Sequence, residues 1–471
     1  MGRTRVAVLV AVGVLVCAGT ASAVFAATRS TSRATQELTI TVSDGTKLAC
    51  GLVLPGGSPP AGGWPGVLLF HGLGQNHQYM ETIANATLAP VGLASLACDA
   101  RGTGASGGKF GLEGPTEVQD VRDLFAWFAA RGDVSDTKIG AFGLSLGGGV
   151  VWNAAVAGVP FKAIVPAITW TDLGSALNPN GVPKSGEIAR LVQVIPTSRW
   201  DATLTQSRAD LLGGAVTAAV KLTEAARSSR SGLHSLTVPT LLVQGRHDFL
   251  FDIDQALAAY KQLSGPKALY LGDLGHAPAG NPVAEQLAYV GTAVAWFEHY
   301  LAGVGSVHDG IKLAHDPWDG TTTSYTTIPR TRHKSVNLPG SKKLSTTSAS
   351  TSRTVRLTGG PFETFGDGSV TVRYSDAGRS WVRLVATVGV KGSSTPVTFG
   401  AAVLKKASGV LRIPLGNQAV LVPRGKRLVV TVGGETAGGV YLKPALSVST
   451  GFIRIGSITL NLSLLKKTVS R

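Results

Sequence analysis

The residues with the clearest capacity for chemistry are Gly143-Leu144-Ser145-Leu146-Gly147, inside the run IGAFGLSLGGG at 139–149. A short apolar strand ends there and a small-residue helix begins, so the serine falls on a sharp strand–turn–helix junction. Such a turn projects the hydroxyl out of the sheet, and glycines two places before and after give the backbone room for it. The unpaired N–H groups at the start of the helix favour a developing oxyanion. A serine hydroxyl is a weak nucleophile that needs a base within hydrogen-bond reach and a carboxylate to orient that base. Both follow, in the order acid and then histidine. The apolar run 240–244 leads into Gly245-Arg246-His247-Asp248, and a carboxylate just after a parallel strand lies at the edge of the sheet where the serine emerges. Asp248 is the expected acid, with Asp252 and Asp254 in reserve; capping a helix is the competing role for Asp248.

The run 268–271 is followed by Gly272-Asp273-Leu274-Gly275-His276, which makes His276 the expected base. His71 and His247 are its competitors. His299, His308, His315 and His333 read as surface or packing residues, no histidine spacing suggests zinc, and no metal or organic cofactor is implied. The developing oxyanion needs two N–H donors. Leu146 follows the nucleophile and supplies one. The other is expected from the loop after the strand at 67–70, from Leu73 or, failing that, Gly72. The loop 99–108, rich in glycine, is expected to brace this edge of the sheet, with Arg101 paired to Glu117 or Asp120.

These residues need a scaffold, and the chain alternates in the way that supplies one. Strands are expected at 38–42 and 47–54, joined by an Asp44-Gly45 turn. Buried apolar strands follow at 67–70, 94–98, 163–168, 240–244 and 268–271, with helices at 79–89, 118–130 and 283–301. Strands alternating with helices predict an α/β domain, a mostly parallel sheet with helices on both faces, over 37–305. The rhythm breaks at 169–236, a stretch with Pro179, Pro183, Pro196 and a long helical tract at 203–226. This insertion reads as a helical cap over the site, with Trp170 and Leu173, together with His71, shaping the substrate pocket. The polar stretch 306–352 reads as a linker. From 353 to 471, short alternating runs between glycine-rich turns predict a β-sandwich, with strands at 370–374, 381–390, 397–404, 409–413, 427–432 and 453–462.

Composition bounds the setting. Arg3 and Arg5 precede an apolar run and the Ala21-Ser22-Ala23 site, so residues 1–26 are expected to be a cleaved secretory signal, with an uncleaved anchor as the alternative. The formal net charge is +16, yet Lys and Arg are scattered without interleaved aromatics, which argues against nucleic acid. A cationic surface suits an anionic cell wall or membrane face, or serves solubility alone. Cys17 leaves with the signal; Cys50 and Cys98 fall on expected neighbouring strands, as a disulfide or as two buried thiols.

The elbow, Gly245 to Asp248 and Gly275-His276 resemble the α/β-hydrolase superfamily. The motif Asp99-Ala100-Arg101-Gly102-Thr103-Gly104-Ala105-Ser106-Gly107, with Glu117, Asp120 and Trp127 downstream, is similar to the X-Pro dipeptidyl-peptidase and cocaine-esterase group. That resemblance implies a hydrolase domain with a helical cap followed by a jelly-roll-like β-sandwich, and a triad of Ser145, Asp248 and His276. Members often complete the oxyanion hole with a tyrosine near the third strand. Here His71-Gly72-Leu73 occupies the region and Tyr79 lies further along, which favours a backbone donor. No pair of acids in the cap (Glu187, Asp201 and Asp210 are the candidates) is placed by sequence to hold a free amino terminus. The expected function is a secreted serine hydrolase acting on an ester or other acyl bond. An X-Pro dipeptidyl-peptidase is the second possibility, and an inactive hydrolase fold serving as a cell-surface binding protein the third. The expected partner is a small ester or peptide substrate; oligomeric state is left open.

Overall fold

The computed structural model describes residues 35–277, 279–347, 349–435, 439–441 and 451–466. The expected signal, 1–26, lies outside the described residues. Among those described, no helix is long and apolar enough to cross a membrane.

Strands β1 (Thr35–Thr41), β2 (Lys47–Val53), β3 (Trp64–Phe70), β4 (Ala94–Cys98), β5 (Val134–Leu144), β6 (Ile164–Ala167), β7 (Thr240–Gly245), β8 (Lys267–Gly272), β9 (Gly310–Ala314) and β10 (Thr322–Tyr325) form one sheet. Their order is β1-β2-β4-β3-β5-β6-β7-β8-β9-β10. The strands from β4 through β9 run parallel; β1, β2 and β10 are antiparallel to their neighbours. The central segments of the parallel strands are mostly apolar and buried because helices cover both faces. One face carries α1 (His77–Ile83), which runs on into a π-turn, and the long helix of 283–297. The other carries α2 (Pro115–Ala129), α3 (Leu146–Val156) and the helix of 253–262. The register sets Cys50 opposite Cys98, and the two are joined as a disulfide.

Between β6 and β7 the chain builds the cap: α4 (Leu173–Leu177), α5 (Ser185–Leu191), α6 (Ala202–Leu212) and α7 (Ala218–Ala225). The single helix expected over 203–226 is two helices. Gly213-Gly214 ends the first, with Gly214 at φ +84°, and the Thr217 hydroxyl caps the second by accepting from Val220 N–H. The cap has its own apolar core, in which Trp170, Leu173, Leu204 and Val220 pack with Leu146, Leu250 and Phe251 of the α/β domain. Helices α8 (Ile253–Gln262) and α9 (Val283–Phe297) complete the domain.

The polar stretch 306–352 carries four strands and the start of a fifth, which corrects its reading as a linker. β9 and β10 extend the ten-stranded sheet, and β11 (Thr331–Leu338) and β12 (Lys342–Leu344) already belong to the next domain. β10 and β11 each pair on one side only and expose much of their length, so Thr and Ser serve where apolar alternation would otherwise mark a strand. The C-terminal domain is a β-sandwich. One sheet orders β11-β21-β15-β18, with β12 also on β21; the other orders β13-β20-β16-β17. Their strands are β13 (Ser350–Arg356), β15 (Gly368–Ser375), β16 (Arg383–Val390), β17 (Pro396–Val403), β18 (Gly409–Leu415), β20 (Arg427–Gly433) and β21 (Ile453–Leu465), while β14 (Phe362–Glu363) pairs with β19 (Leu421–Val422). Inward-facing Val, Leu and Ile from both sheets share one core.

Candidate active site

Ser145 stands between β5 and α3 at φ +52°, ψ −109°. A non-glycine residue with this backbone costs roughly 1–3 kcal/mol, and the surroundings hold it there. Ser145 N–H donates to the Ala167 carbonyl at 2.8 Å. Its carbonyl accepts the Thr169 hydroxyl at 2.8 Å and Gly149 N–H at 3.1 Å. The flanking glycines are dictated by close approach. A Cβ on Gly143 would lie 2.1 Å from the Gly147 carbonyl oxygen, and one on Gly147 would lie 2.2 Å from that of Phe70.

The loop after β7 carries Asp248, which is 0% exposed. One carboxylate oxygen, Oδ1, accepts N–H groups from Leu250 and Phe251, both at 2.9 Å. The other, Oδ2, lies 2.8 Å from His276 Nδ1. His276, on the loop after β8, places its Nε2 2.8 Å from Ser145 Oγ. Gly275, at φ +140°, lets that loop lie on the acid: a Cβ there would fall 2.8 Å from Asp248 Cα. The Phe251 ring stands edge-on to the imidazole at 5.0 Å, and Trp170 lies 5.2 Å beyond it. Burial pushes the His276 pKa down, but the charge of Asp248 and its hydrogen bond outweigh this and raise it; Glu187 adds to the rise and Lys184 opposes it.

Of the backbone donors expected nearby, Gly147 N–H is taken by the His71 carbonyl and Gly72 N–H by Gln75 Oε1. The Leu146 and Leu73 N–H groups have no protein acceptor among the described residues, and both side chains pack into the cap core.

His71 is not a pocket residue. It is 2% exposed, and both ring nitrogens are in use: Nδ1 lies 2.8 Å from the Gly72 carbonyl oxygen, and Nε2 accepts Ala100 N–H at 3.0 Å. That pattern makes it a neutral imidazole, and burial lowers its pKa accordingly. It braces the loop 99–108. Within this loop the Asp99 carboxylate accepts Ala105 N–H and His77 N–H and lies 2.8 Å from His77 Nδ1. Arg101 pairs with Asp120 through two nitrogens and reaches Asp44 at 2.7 Å, while Glu117 accepts the N–H groups of Gly111 and Gly114 ahead of α2. Trp170 donates its indole N–H to the Arg227 carbonyl, its ring packs over Gly149 on α3, and Leu173 sits beside it in the cap core.

The other acids and histidines near Ser145, Asp248 and His276 have different partners. Asp252 and Asp254 stand at the start of α8, where Asp252 caps the helix and Asp254 accepts from the Asn417 side chain. His247 lies between Asp273 at 2.9 Å and Asp316 at 3.0 Å; burial lowers its pKa, the two carboxylates more than reverse this, and the net value is about 9. Two clusters bring together residue types that bind metals, His247 with these two acids and His77 with Glu37 and Glu81. In both, the histidine nitrogens already face carboxylates. Sequence reasoning missed Phe251, Lys184, and the sandwich residues that reach the acid loop. Lys184, a buried cap residue, donates to the Phe249 and Leu250 carbonyls.

Comparison with known proteins bears on the family and the fold. A family model described as X-Pro dipeptidyl-peptidase (S15 family) matches residues 44–278. A CocE/NonD family hydrolase from Staphylococcus aureus superposes with a TM-score of 0.67 at 14% identity, over 92% of this chain and 94% of that one. An aminopeptidase from a marine-sediment Thaumarchaeota archaeon gives 0.66 at 13% identity, over 93% and 98%. An α-amino acid ester hydrolase gives 0.66 at 13% identity, over 92% and 97%. At such identities the likeness is one of fold. An uncharacterized 31.7 kDa protein of the traX-finO intergenic region of Escherichia coli is 32% identical over 110 residues, 23% of this chain; the match spans only 38% of that relative. Residues 44–278 thus match the X-Pro dipeptidyl-peptidase (S15) family, and the chain resembles the X-Pro dipeptidyl-peptidase and cocaine-esterase group of serine α/β-hydrolases, whose two-domain fold it shares.

Proposed function

We propose that the protein is an exported hydrolase that cleaves an ester or related acyl bond through an acyl-enzyme formed on Ser145. The observation that carries this reading is the continuous relay from Ser145 Oγ to His276 Nε2 and from His276 Nδ1 to Asp248 Oδ2, at 2.8 Å for each step. Ser145 Oγ attacks the carbonyl carbon while His276 Nε2 takes its proton. Asp248 holds the imidazole with its other proton on Nδ1 and stabilises the imidazolium that forms. The oxyanion of the tetrahedral intermediate is received by the N–H groups of Leu146 and Leu73, left free by the hydrogen bonding around them. His276 Nε2–H then protonates the departing alkoxide and the acyl group stays on Oγ. Water, deprotonated by Nε2, releases the acid and restores the serine. The apolar cap core next to the relay favours an apolar acyl or alcohol group. The Cys50–Cys98 disulfide and the signal-like N-terminus favour export.

One observation keeps the X-Pro dipeptidyl-peptidase as a second reading. Glu187, buried in the cap and paired with Arg190, lies near enough for its charge to act on His276, as a carboxylate serving a substrate amino group would. A paired assay separates the two. Purified protein is given a short-chain nitrophenyl ester and a glycyl-prolyl anilide, with Ser145→Ala alongside. Ester turnover abolished by the substitution supports the esterase, and dominant anilide cleavage replaces it with the peptidase. Turnover surviving in Ser145→Ala removes Ser145 as nucleophile.

A further inference from the structure

The sandwich does more than lie against the hydrolase domain. Its loop 417–421, which runs from β18 into the first residue of β19, lies along the loop that carries Asp248 and is bonded to it along its length. Gln418 Nε2 donates to the Asp248 carbonyl at 3.2 Å. Ala419 N–H donates to the Arg246 carbonyl at 3.0 Å, and Arg246 Nε returns a bond to the Ala419 carbonyl at 2.6 Å. Ile253 N–H donates to the Asn417 carbonyl at 3.1 Å, and Asn417 Nδ2 donates to Asp254 at 2.7 Å. The Arg246 guanidinium, fully buried, also reaches Glu363 of β14. The Phe249 ring stacks on Phe399 of β17 at 5.1 Å.

A second path leads to the base. Leu421 N–H donates to Asp316, Asp316 faces His247 Nε2, and His247 Nδ1 faces Asp273, three residues before His276. The cap holds the same loop through Lys184, beside the sandwich contacts. The loop that carries the acid is thus held by two other parts of the chain, the cap and the sandwich.

We propose that the sandwich loop 417–421 is a positioning element of the active site, with Gln418 and Asn417 fixing the loop that orients Asp248 against His276. Neither residue touches substrate; both act through the acid. This rests on the triad assigned above. The physical basis is that a buried carboxylate orients an imidazole only while its own backbone is held. A displacement of about 1 Å in such a site can cost on the order of a hundredfold in rate.

The test uses the full chain with Gln418→Leu, which keeps the volume and removes the donor, and Asn417→Ala, which removes the Asp254 bond. Ester kinetics are followed across pH beside Ser145→Ala, with the melting temperature of each variant. The groups facing His276 are Ser145, Asp248, Glu187, Lys184 and the Phe251 ring. Of these, Asp248 contributes the largest rise in its pKa. Loosening the acid should therefore lower kcat by roughly ten- to a hundredfold, leave KM within about twofold, and move the acid limb of the kcat profile to lower pH. If Gln418→Leu does not fold, the same three readouts on Asn417→Ala decide the matter. The proposal is overturned if kcat and the acid limb stay at parent values. It is equally overturned if activity falls only in step with the folded fraction while the limb does not move, since that is a purely structural contact. Turnover in Ser145→Ala would bring down the triad instead, so the two failures are distinguishable.

Discussion

Replacing Asp248 by Asn is the perturbation whose outcome the geometry dictates most closely. Asp248 Oδ1 accepts two backbone N–H groups, from Leu250 and Phe251. An amide –NH2 cannot face two donors, so the asparagine must set its carbonyl there and turn its –NH2 toward His276 Nδ1. That nitrogen must then accept, and the imidazole proton moves to Nε2, which lies 2.8 Å from Ser145 Oγ. A protonated Nε2 cannot take the serine proton. The shape of the residue is unchanged and its backbone bonds survive, so the fold should hold while kcat falls by about ten-thousandfold. That factor corresponds to about 5.5 kcal/mol of barrier. Steady-state hydrolysis of a nitrophenyl ester on a variant whose melting temperature is checked measures it. A folded Asp248→Asn protein within about tenfold of the parent kcat would refute the reasoning.

Other consequences follow from residues around the triad. His247 has its pKa raised from 6.5 to about 9 by Asp273 and Asp316. Its charged form is favoured in the folded state, so its contribution to stability is complete below about pH 6.5 and is lost as pH rises to about 9. The stability difference between the parent and His247→Gln should shrink by about 3 kcal/mol between pH 6 and pH 10 in urea titrations; a flat difference would contradict the pairing. The Cys50–Cys98 disulfide closes a separation of 48 residues. On chain-entropy grounds its loss in Cys50→Ala/Cys98→Ala should cost up to about 4 kcal/mol, and an unchanged denaturation midpoint would count against it. Gly147→Ala would set a Cβ 2.2 Å from the Phe70 carbonyl oxygen, so it should lose more than about 3 kcal/mol of stability, or its activity, whereas a parent-like enzyme would contradict the account of the elbow.

The parts of this molecule that could be read from sequence share a property: their signals are local. The elbow announces itself because strand, glycine turn and helix are contiguous. Asp248 and His276 each come a few residues after an apolar run, so the end of a strand locates them. Inner sandwich strands alternate, most cleanly at 370–374. The rest depends on distant partners. Thr322–Tyr325 and Thr331–Leu338 are edge strands whose polar residues face outward, and nothing in their composition says that β9 and β21 lie beside them. His71 has the residue type of a site histidine, and only the approach of Ala100, 29 positions away, shows both ring nitrogens in use. Arg101 had two candidate acids one helical turn apart; Asp120 was free to take it because Glu117 is committed to backbone N–H groups. Gln418 meets Asp248 across 170 positions, a contact with no local trace.

The central claim is that Ser145, activated by His276, carries the acyl group. The parent protein and Ser145→Ala would each be treated with a fluorophosphonate, digested, and the peptides weighed, with ester turnover followed in parallel. The account predicts one added phosphonyl group on the parent, located at Ser145, with turnover lost in proportion to labelling, and neither label nor turnover in the variant. A label at another residue, or ester turnover that persists in a fully labelled parent, would contradict it.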